Sequence, residues 1–354
     1  MDRESLPLKG RGAAGNPANR FERLHYETVV DGARDETPAP ATHFFKDITQ
    51  SIIATNDSPD VGFDASINVY RGCEHGCIYC YARPYHEYLG FSMGLDFETK
   101  IMVKEDAPRL LRKELNSPKW KPQTLGMSGV TDAYQPIERR LQLTRRCLEV
   151  LAEFRNPVGI VTKNRLVTRD VDLLKKLAEH QAACVAIAVT TLDADLARVM
   201  EPRATTPVGR LDAIRELSAA GIPTIVLIAP VIPGLTDHEM PAILNAARDA
   251  GACQAGYTML RLPHGLPELF TSWLDQHFPE KKDKIMSRIR AMRGGEMNDS
   301  RFGDRMRGEG VLADTVRQIF EVTRKKLGFP GRSPLSTAAF RRPDDTPRLL
   351  FGEE

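Results

Sequence analysis

The chain has 354 residues with a formal net charge of +2, and 42% of its residues are hydrophobic. This length suits one large α/β domain with extended ends or two small domains, and the near-neutral charge argues against a protein that coats nucleic acid without specificity. The first residues include no apolar segment and no later stretch approaches the roughly 18 apolar residues of a membrane span, so we expect a cytoplasmic protein without membrane association.

Residues 1–60 differ in composition from the rest of the chain. They are rich in glycine, proline, asparagine and charged residues, and they lack a sustained apolar period. We expect an N-terminal extension here, followed by a core barrel over residues 61–265 and a C-terminal helical region and tail over residues 266–354.

Six short apolar runs follow the extension, each bounded by turn residues and apolar on both faces, as buried parallel strands are. Segments with helical spacing separate them, such as the one that carries Leu141, Leu148 and Leu151. Six such units predict an α/β fold, a partial (β/α)6 TIM-type barrel with an N-terminal extension and C-terminal helices. The runs are residues 67–72, 124–130, 158–162, 184–190, 223–229 and 255–260, and the C-terminal helices are expected over 267–277, 279–292 and 311–327.

Three cysteines, Cys73, Cys77 and Cys80, follow the first run within eight residues. Three thiolates can hold three irons of a [4Fe–4S] cluster and leave the fourth iron open, whereas electron carriers use four cysteines. An open iron can chelate the amino and carboxylate groups of S-adenosylmethionine (SAM). One added electron then breaks the sulfonium bond and gives a 5′-deoxyadenosyl radical. The spacing therefore indicates a cluster that works with SAM.

Two other interpretations of the cysteines remain open. Structural zinc could bind the three thiolates with His75 or His86, although zinc ligands usually come as two short paired knuckles, which this spacing does not form. The cluster could instead serve an iron–sulfur redox-sensing or binding module without turnover.

The motif C-x3-C-x-aromatic-C, with Tyr79 in the aromatic position, resembles the signature of the radical SAM superfamily, and the resemblance covers roughly residues 66–262. Within that superfamily the chain is most similar to the spore photoproduct lyase branch, for example at Cys80-Tyr81 and Glu201-Pro202. It looks closest to bacterial members that carry a Gly-Arg-Gly-Ala arm, here residues 10–13, and a C-terminal helical region.

Polar residues at the strand ends are the expected SAM ligands, because the active site of such barrels lies at the carboxyl ends of the strands. The resemblance implies that Lys163 pairs with the SAM carboxylate, that Thr131 and Thr190 contact its polar groups, and that the Tyr79 backbone contacts adenine. Glu201 either touches the ribose or methionine end or caps the following helix. The expected cofactor-binding residues are Tyr79, Thr131, Asp132, Lys163, Thr190, Glu201 and Ile232.

The chain departs from the photoproduct lyases after the second run, where residues 127–130 lack their hydrogen-donating cysteine. We therefore do not expect photoproduct repair. The other three cysteines, Cys147, Cys184 and Cys253, are expected to be small buried apolar residues.

The Arg- and Gly-rich segment 293–310 has two interpretations. It is either a solvated loop or, with Arg261 and His264, part of a substrate pocket that binds phosphate or carboxylate, with Phe302 stacking on a base. The expected partners are a one-electron reductant of the flavodoxin or ferredoxin type and an unidentified substrate, with nucleic acid or another phosphate-bearing molecule to be tested first. A protein or peptide substrate is the alternative.

Overall fold

A computed structural model describes residues 7–22, 40–127, 129–330 and 334–343. Its strands form one large and one small sheet, and their bounds differ from the predicted runs mostly by one to three residues. In chain order the strands are β1 (His43–Lys46), β2 (Ile53–Thr55), β3 (Ala65–Ile67), β4 (Tyr70–Arg71), β5 (Lys100–Val103), β6 (Leu125–Met127), β7 (Val158–Thr162), β8 (Ala183–Ala188), β9 (Thr224–Val231) and β10 (Gln254–Met259).

The large sheet has the order β10-β9-β8-β7-β6-β3-β2. Neighbouring strands from β3 to β10 are parallel, and only β2 at the edge is antiparallel. Helices connect the parallel strands, so their carboxyl ends meet at one edge of the sheet. The predicted partial barrel of six parallel strands is confirmed.

The first predicted run, residues 67–72, is not one strand. It is divided between β3 and β4, and β4 pairs antiparallel with β5 in the small sheet. The Asn68 side chain accepts hydrogen bonds from the backbone N–H groups of Gly129 and Val130, so the chain leaves the large sheet at this residue. The prediction of a continuous strand entering the cysteine loop was wrong.

Helices cover the barrel and fill the C-terminal third, where the three predicted helices are found within one residue of their expected bounds. The helices are α1 (Leu95–Thr99), α2 (Ala107–Asn116), α3 (Glu138–Leu141), α4 (Leu143–Phe154), α5 (Val171–Ala178), α6 (Ala194–Met200), α7 (Pro207–Ala219), α8 (Met240–Asp249), α9 (Leu266–His277), α10 (Pro279–Ala291), α11 (Asp304–Arg307) and α12 (Gly310–Lys326), with short 3₁₀ helices at Arg83–Leu89, Arg165–Asp170 and Asp237–Glu239.

Helix α4 illustrates how the sequence forms these layers. Leu143, Cys147, Leu151 and Phe154 recur every three or four residues and are all buried, so they lie on one face of the helix. Each buried apolar side chain of this size contributes about 1.5–3 kcal/mol. The helix ends at Arg155, whose left-handed backbone turns the chain toward β7.

The N-terminal extension is more structured than its composition indicated. Strand β1 pairs with β5 at an edge of the small sheet, and β2 forms the edge of the large sheet. Gly12 and Ala13 are buried. The proposed boundary between extension and barrel at residue 60 stays a prediction. None of the described helices combines the length and the apolar character needed to cross a membrane.

Candidate functional site

The cysteine loop lies at the carboxyl end of the barrel, between β4 and the 3₁₀ helix Arg83–Leu89. Cys73 and Cys77 are buried, Cys80 is half-buried, and none forms a disulfide. Burial raises the pKa of all three thiols, so binding of iron must displace their protons. Three free thiols in one loop, two of them buried and one half-buried, are a donor set that suits an iron–sulfur cluster.

The geometry argues against a single zinc ion. Tetrahedral zinc with ligands at about 2.3 Å would hold neighbouring sulfur atoms about 3.8 Å apart. Among the described residues, no three cysteine or histidine ligand atoms all lie within 4.8 Å of one another. Both ring nitrogens of His75 are also engaged, Nδ1 at 3.3 Å from Asp132 and Nε2 at 3.1 Å from Asn164. Neither ring nitrogen of His75 is therefore free to complete a tetrahedral zinc site.

Thr131 holds the cysteine loop from the next strand end. Its hydroxyl donates to the Gly72 carbonyl at 2.7 Å, and the Gln135 amide donates to the same oxygen at 3.3 Å. Gln135 also accepts a hydrogen bond from the backbone N–H of Glu74. Thr131, expected to contact SAM directly, is thus engaged with the loop that carries the cysteines.

Asp132 joins three parts of the site. Its carboxylate accepts hydrogen bonds from the Thr162 hydroxyl at 2.7 Å and from the Lys163 backbone N–H at 2.8 Å, and it contacts His75 in the cysteine loop. Burial acts to raise the pKa of Asp132, but His75 and the hydrogen bonds outweigh burial and lower the pKa to about 2. Asp132 therefore stays ionised and fixes the loop to the end of β7.

Glu201 sits in a buried network with Tyr79, Thr190 and Arg210. Its carboxylate pairs with the Arg210 guanidinium and accepts hydrogen bonds from the Tyr79 hydroxyl and, at 2.7 Å, from the Thr190 hydroxyl. Burial acts to raise the pKa of Glu201, but Arg210 and Lys163 outweigh it and lower the pKa to about 2. Both carboxylate oxygens have protein partners, and the following helix α7 is capped by Thr206 and not by Glu201.

Lys163 points across the barrel mouth. Its Nζ donates to the Ala229 carbonyl at the end of β9, at 3.1 Å, and lies 5.8 Å from the centre of the Tyr79 ring. Its charge acts on the thiols of Cys77 and Cys80, so it faces the cysteine loop. An ammonium group has three donors, and the Ala229 bond uses one.

Ile232 follows β9 and is buried in an apolar cluster with Cys77, Ile78 and Tyr79. Its backbone N–H donates to the Thr236 hydroxyl at 2.9 Å. Ile232 and residues of the cysteine loop thus belong to one apolar cluster, and the expected contact of Ile232 with SAM stays a prediction.

Glu98, which the sequence analysis missed, ties the N-terminal arm to the cysteine loop. Its carboxylate accepts hydrogen bonds from the backbone N–H groups of Gly12 at 3.0 Å and Ala13 at 2.9 Å, and it pairs with Arg83 at 2.5 Å. Arg83 in turn donates to the Cys77 carbonyl at 2.9 Å. A Gly-Arg-Gly-Ala arm upstream of a cysteine loop was the only sequence signal for this contact.

Arg261 lies at the end of β10, with its guanidinium 5.4 Å from the centre of the Tyr81 ring. Its Nε is buried and has no hydrogen-bond partner among the described residues. Burial and the neighbouring Arg305 lower its pKa. Arg305 is itself paired with Asp60. Two arginines thus meet beside the residue that follows Cys80.

The structure places Phe302 beside Arg305, whereas Arg301 and His264, the other residues of the expected substrate pocket, are exposed. Arg301 is exposed and pairs with Asp299 at 2.6 Å and Glu309 at 2.7 Å. His264 is exposed as well, and so is Phe302, over whose ring the Arg305 guanidinium lies. The substrate pocket expected from this segment therefore stays a prediction.

Comparison with known proteins agrees with this geometry. A spore photoproduct lyase complexed with dinucleoside spore photoproduct has the same fold, with a TM-score of 0.58 and 14% identity over 80% of this chain and 79% of that one. An uncharacterized protein of Mycobacterium tuberculosis is 37% identical over 232 residues, which are 65% of this chain and 67% of that protein. A radical SAM Nα-GlyT isomerase of Pseudomonas phage M6 is 26% identical over 168 residues, 47% of this chain and 33% of that one. The model of the Radical SAM superfamily matches residues 67–247, about half of the chain, and the protein is therefore a member of that superfamily.

Proposed function

We propose that the protein is an enzyme that holds a [4Fe–4S] cluster on Cys73, Cys77 and Cys80 and binds SAM at the iron left open. The observation that carries this proposal is the set of three free cysteines in one loop at the barrel mouth, two of them buried and one half-buried. When bound, the cluster and SAM supply a 5′-deoxyadenosyl radical that abstracts a hydrogen atom from the substrate.

In this proposal Lys163 binds the SAM carboxylate. Two of its three ammonium donors remain after the bond to the Ala229 carbonyl, and its charge already faces the thiols. Tyr79, Thr190 and Glu201 act as one unit that fixes the position of Lys163, because the Tyr79 ring lies under its ammonium group and Glu201 supplies a nearby negative charge.

Thr131 and Asp132 position the cysteine loop instead of contacting SAM through their side chains. Their bonds to Gly72 and to His75 hold the two ends of the segment that contains Cys73. The arm residue Gly12 packs against the outer side of the same loop, which helps to exclude water from a reactive site.

Anaerobic reconstitution with iron and sulfide, followed by reduction with dithionite in the presence of SAM, tests the proposal. We expect the native protein to form 5′-deoxyadenosine and the Cys77→Ala variant to form none. Cys147→Ala is the matched control, because Cys147 is buried in helix α4 away from the loop. A brown protein that never cleaves SAM would instead favour the redox-sensing module.

We also propose that the substrate carries a phosphate or another anionic group. The support is Arg261, whose buried Nε has no hydrogen-bond partner among the described residues, because a buried guanidinium N–H without a partner is a donor that an anion can satisfy. Nucleic acid is the first class to test, since the spore photoproduct lyase of similar fold is complexed with a dinucleoside.

Binding of labelled single-stranded DNA to the reconstituted protein with SAM tests this second proposal. Arg261→Gln should weaken binding about 10-fold or more, since one lost charge-assisted hydrogen bond costs about 1.5–3 kcal/mol. Arg301→Gln is the control, because Arg301 is exposed and paired within its own loop. Equal binding by the native protein and both variants would exclude Arg261 as an anion contact for DNA.

A further inference from the structure

A surface groove of about 530 Å³ runs along the outside of the cysteine loop. Four cationic side chains line it against a single carboxylate, and it also includes an aromatic ring. We call it the basic groove, and its main lining residues are Lys9, Arg11, Phe44, Glu74, Arg140 and Arg203.

Arg203 connects the basic groove to the cysteine loop. Its guanidinium pairs with Glu74 at 3.0 Å, and its backbone N–H donates to the His75 carbonyl at 3.2 Å. Glu74 directly follows Cys73, and its side chain is almost wholly buried. Glu74, which lines the groove, is therefore the sequence neighbour of the proposed cluster ligand Cys73.

The groove has more positive charge than its own residues neutralise. Lys9 and Arg140 are exposed, and neither has an ion-pair partner among the described residues. Arg11 is partly buried, and burial together with the charge of Arg203 lowers its pKa. An acidic partner would relieve this repulsion.

An apolar edge adjoins these cations. Strand β1 lies at the edge of the small sheet with all four residues exposed, and Phe44 and Phe45 are 40% and 41% exposed. Exposed aromatic rings among arginines are typical of protein interfaces, whereas a polynucleotide backbone is bound by cations and polar groups. The composition favours a protein partner.

The groove lies apart from the proposed substrate side. Its lining residues come from the arm, the segment that contains β1, the cysteine loop and the segments around α3 and α6. None comes from β10 or the C-terminal helices, where Arg261 and Arg305 lie. A protein in the groove would approach the cluster while the barrel mouth stays available to SAM and substrate.

We propose that the basic groove docks the acidic electron-donor protein, of the flavodoxin type, that reduces the cluster. This inference rests on the proposed function. The donor loses one electron and the cluster gains it, with no atom transferred. Redox complexes of this kind are small and short-lived, and electrostatic complementarity mainly sets their rate of association.

The test compares two reductants with the reconstituted holoenzyme. A Lys9→Glu/Arg140→Glu variant should lose about tenfold in the rate of 5′-deoxyadenosine formation with reduced flavodoxin at low ionic strength. Its rate with dithionite, a small reductant that needs no docking, should stay at the native value. Arg139→Glu is the matched control, because Arg139 is exposed on the same helix but does not line the groove.

A second readout does not depend on turnover. Oxidised flavodoxin should bind the native protein in a salt-sensitive manner, and the double variant should bind it about tenfold more weakly. The docking proposal is overturned if the native protein does not bind flavodoxin, or if the double variant binds flavodoxin as tightly as the native protein does. It is also overturned if the double variant loses affinity for DNA but keeps its affinity for flavodoxin. If the native protein formed no 5′-deoxyadenosine with dithionite, that result would instead count against the proposed function.

Discussion

Gly12 in the N-terminal arm lies directly against the carbonyl of Gly76 in the cysteine loop. A Cβ atom on Gly12 would stand 1.8 Å from that oxygen, far inside contact distance. The two hydrogen bonds from Gly12 and Ala13 to Glu98 hold the arm in this position. The arm is therefore packed against the cysteine loop and held there through Glu98.

Gly12→Ala should displace the arm from the loop. Overpacking at such a contact costs about 1–3 kcal/mol, which corresponds to roughly 5- to 150-fold faster proteolysis where release of the arm precedes cleavage. Limited trypsin digestion measures the rate of cleavage after Arg11. Gly15→Ala is the control, because a Cβ there meets no atom within 4 Å. Equal cleavage of the two variants would mean that the arm does not depend on this contact.

The sequence predicted the layers of the fold because each strand and helix has its own apolar period. The run at 158–162 coincides with β7, and the helix expected at 267–277 begins only one residue earlier. The prediction of one strand over residues 67–72 was wrong because it depends on a contact that is distant in sequence. Asn68 bonds to a loop about 60 residues away, and no local pattern carries that information.

In the candidate site, too, local features could be predicted from the sequence and nonlocal contacts could not. The cysteine spacing is local and was recognised, whereas the expected contact of Lys163 with SAM stays a prediction. The side-chain orientations of Thr131 and Glu201 depend on their partners Gly72 and Arg210, which lie elsewhere in the sequence. Their residue types predicted polar contacts, but only the folded structure identifies the partners.

Arg210→Met should destabilise the protein strongly. Arg210 and Glu201 are both buried, and removing one partner leaves an uncompensated buried charge that costs about 3–5 kcal/mol. Urea unfolding of the apoprotein measures this loss. Arg198→Met, which breaks an exposed pair with Asp195, should cost less than about 1 kcal/mol. A similar small loss in both variants would contradict a structural role for the buried pair.

Lys163→Met should weaken SAM binding with little effect on folding. A charge-assisted hydrogen bond contributes about 1.5–3 kcal/mol, so affinity for SAM should fall roughly 10- to 150-fold. Calorimetric titration of the anaerobic, reconstituted protein measures the affinity, and its iron content checks that the cluster is intact. Lys175→Met, at an exposed position of helix α5, serves as the control. Native affinity in the Lys163 variant would remove this residue from the SAM site.

His86 should make the stability of the apoprotein depend on pH. Burial lowers the pKa of His86 from its usual 6.5 to about 4, and its Nε2 has no partner among the described residues. The folded state therefore binds the proton more weakly than the unfolded state. The stabilisation by neutral His86 is complete above pH 6.5 and is lost as the pH falls from 6.5 to 4, by about 3 kcal/mol in all.

Urea midpoints measured across this range for the native protein and a His86→Leu variant isolate the contribution of His86. The variant should lose this part of the pH dependence, because leucine fills the pocket between Phe91 and Phe97 without a titrating group. His238→Gln should keep the native slope, since His238 is exposed. Parallel curves for all three proteins would show that another group governs acid stability and that the His86 ring is protonated in the fold at little cost.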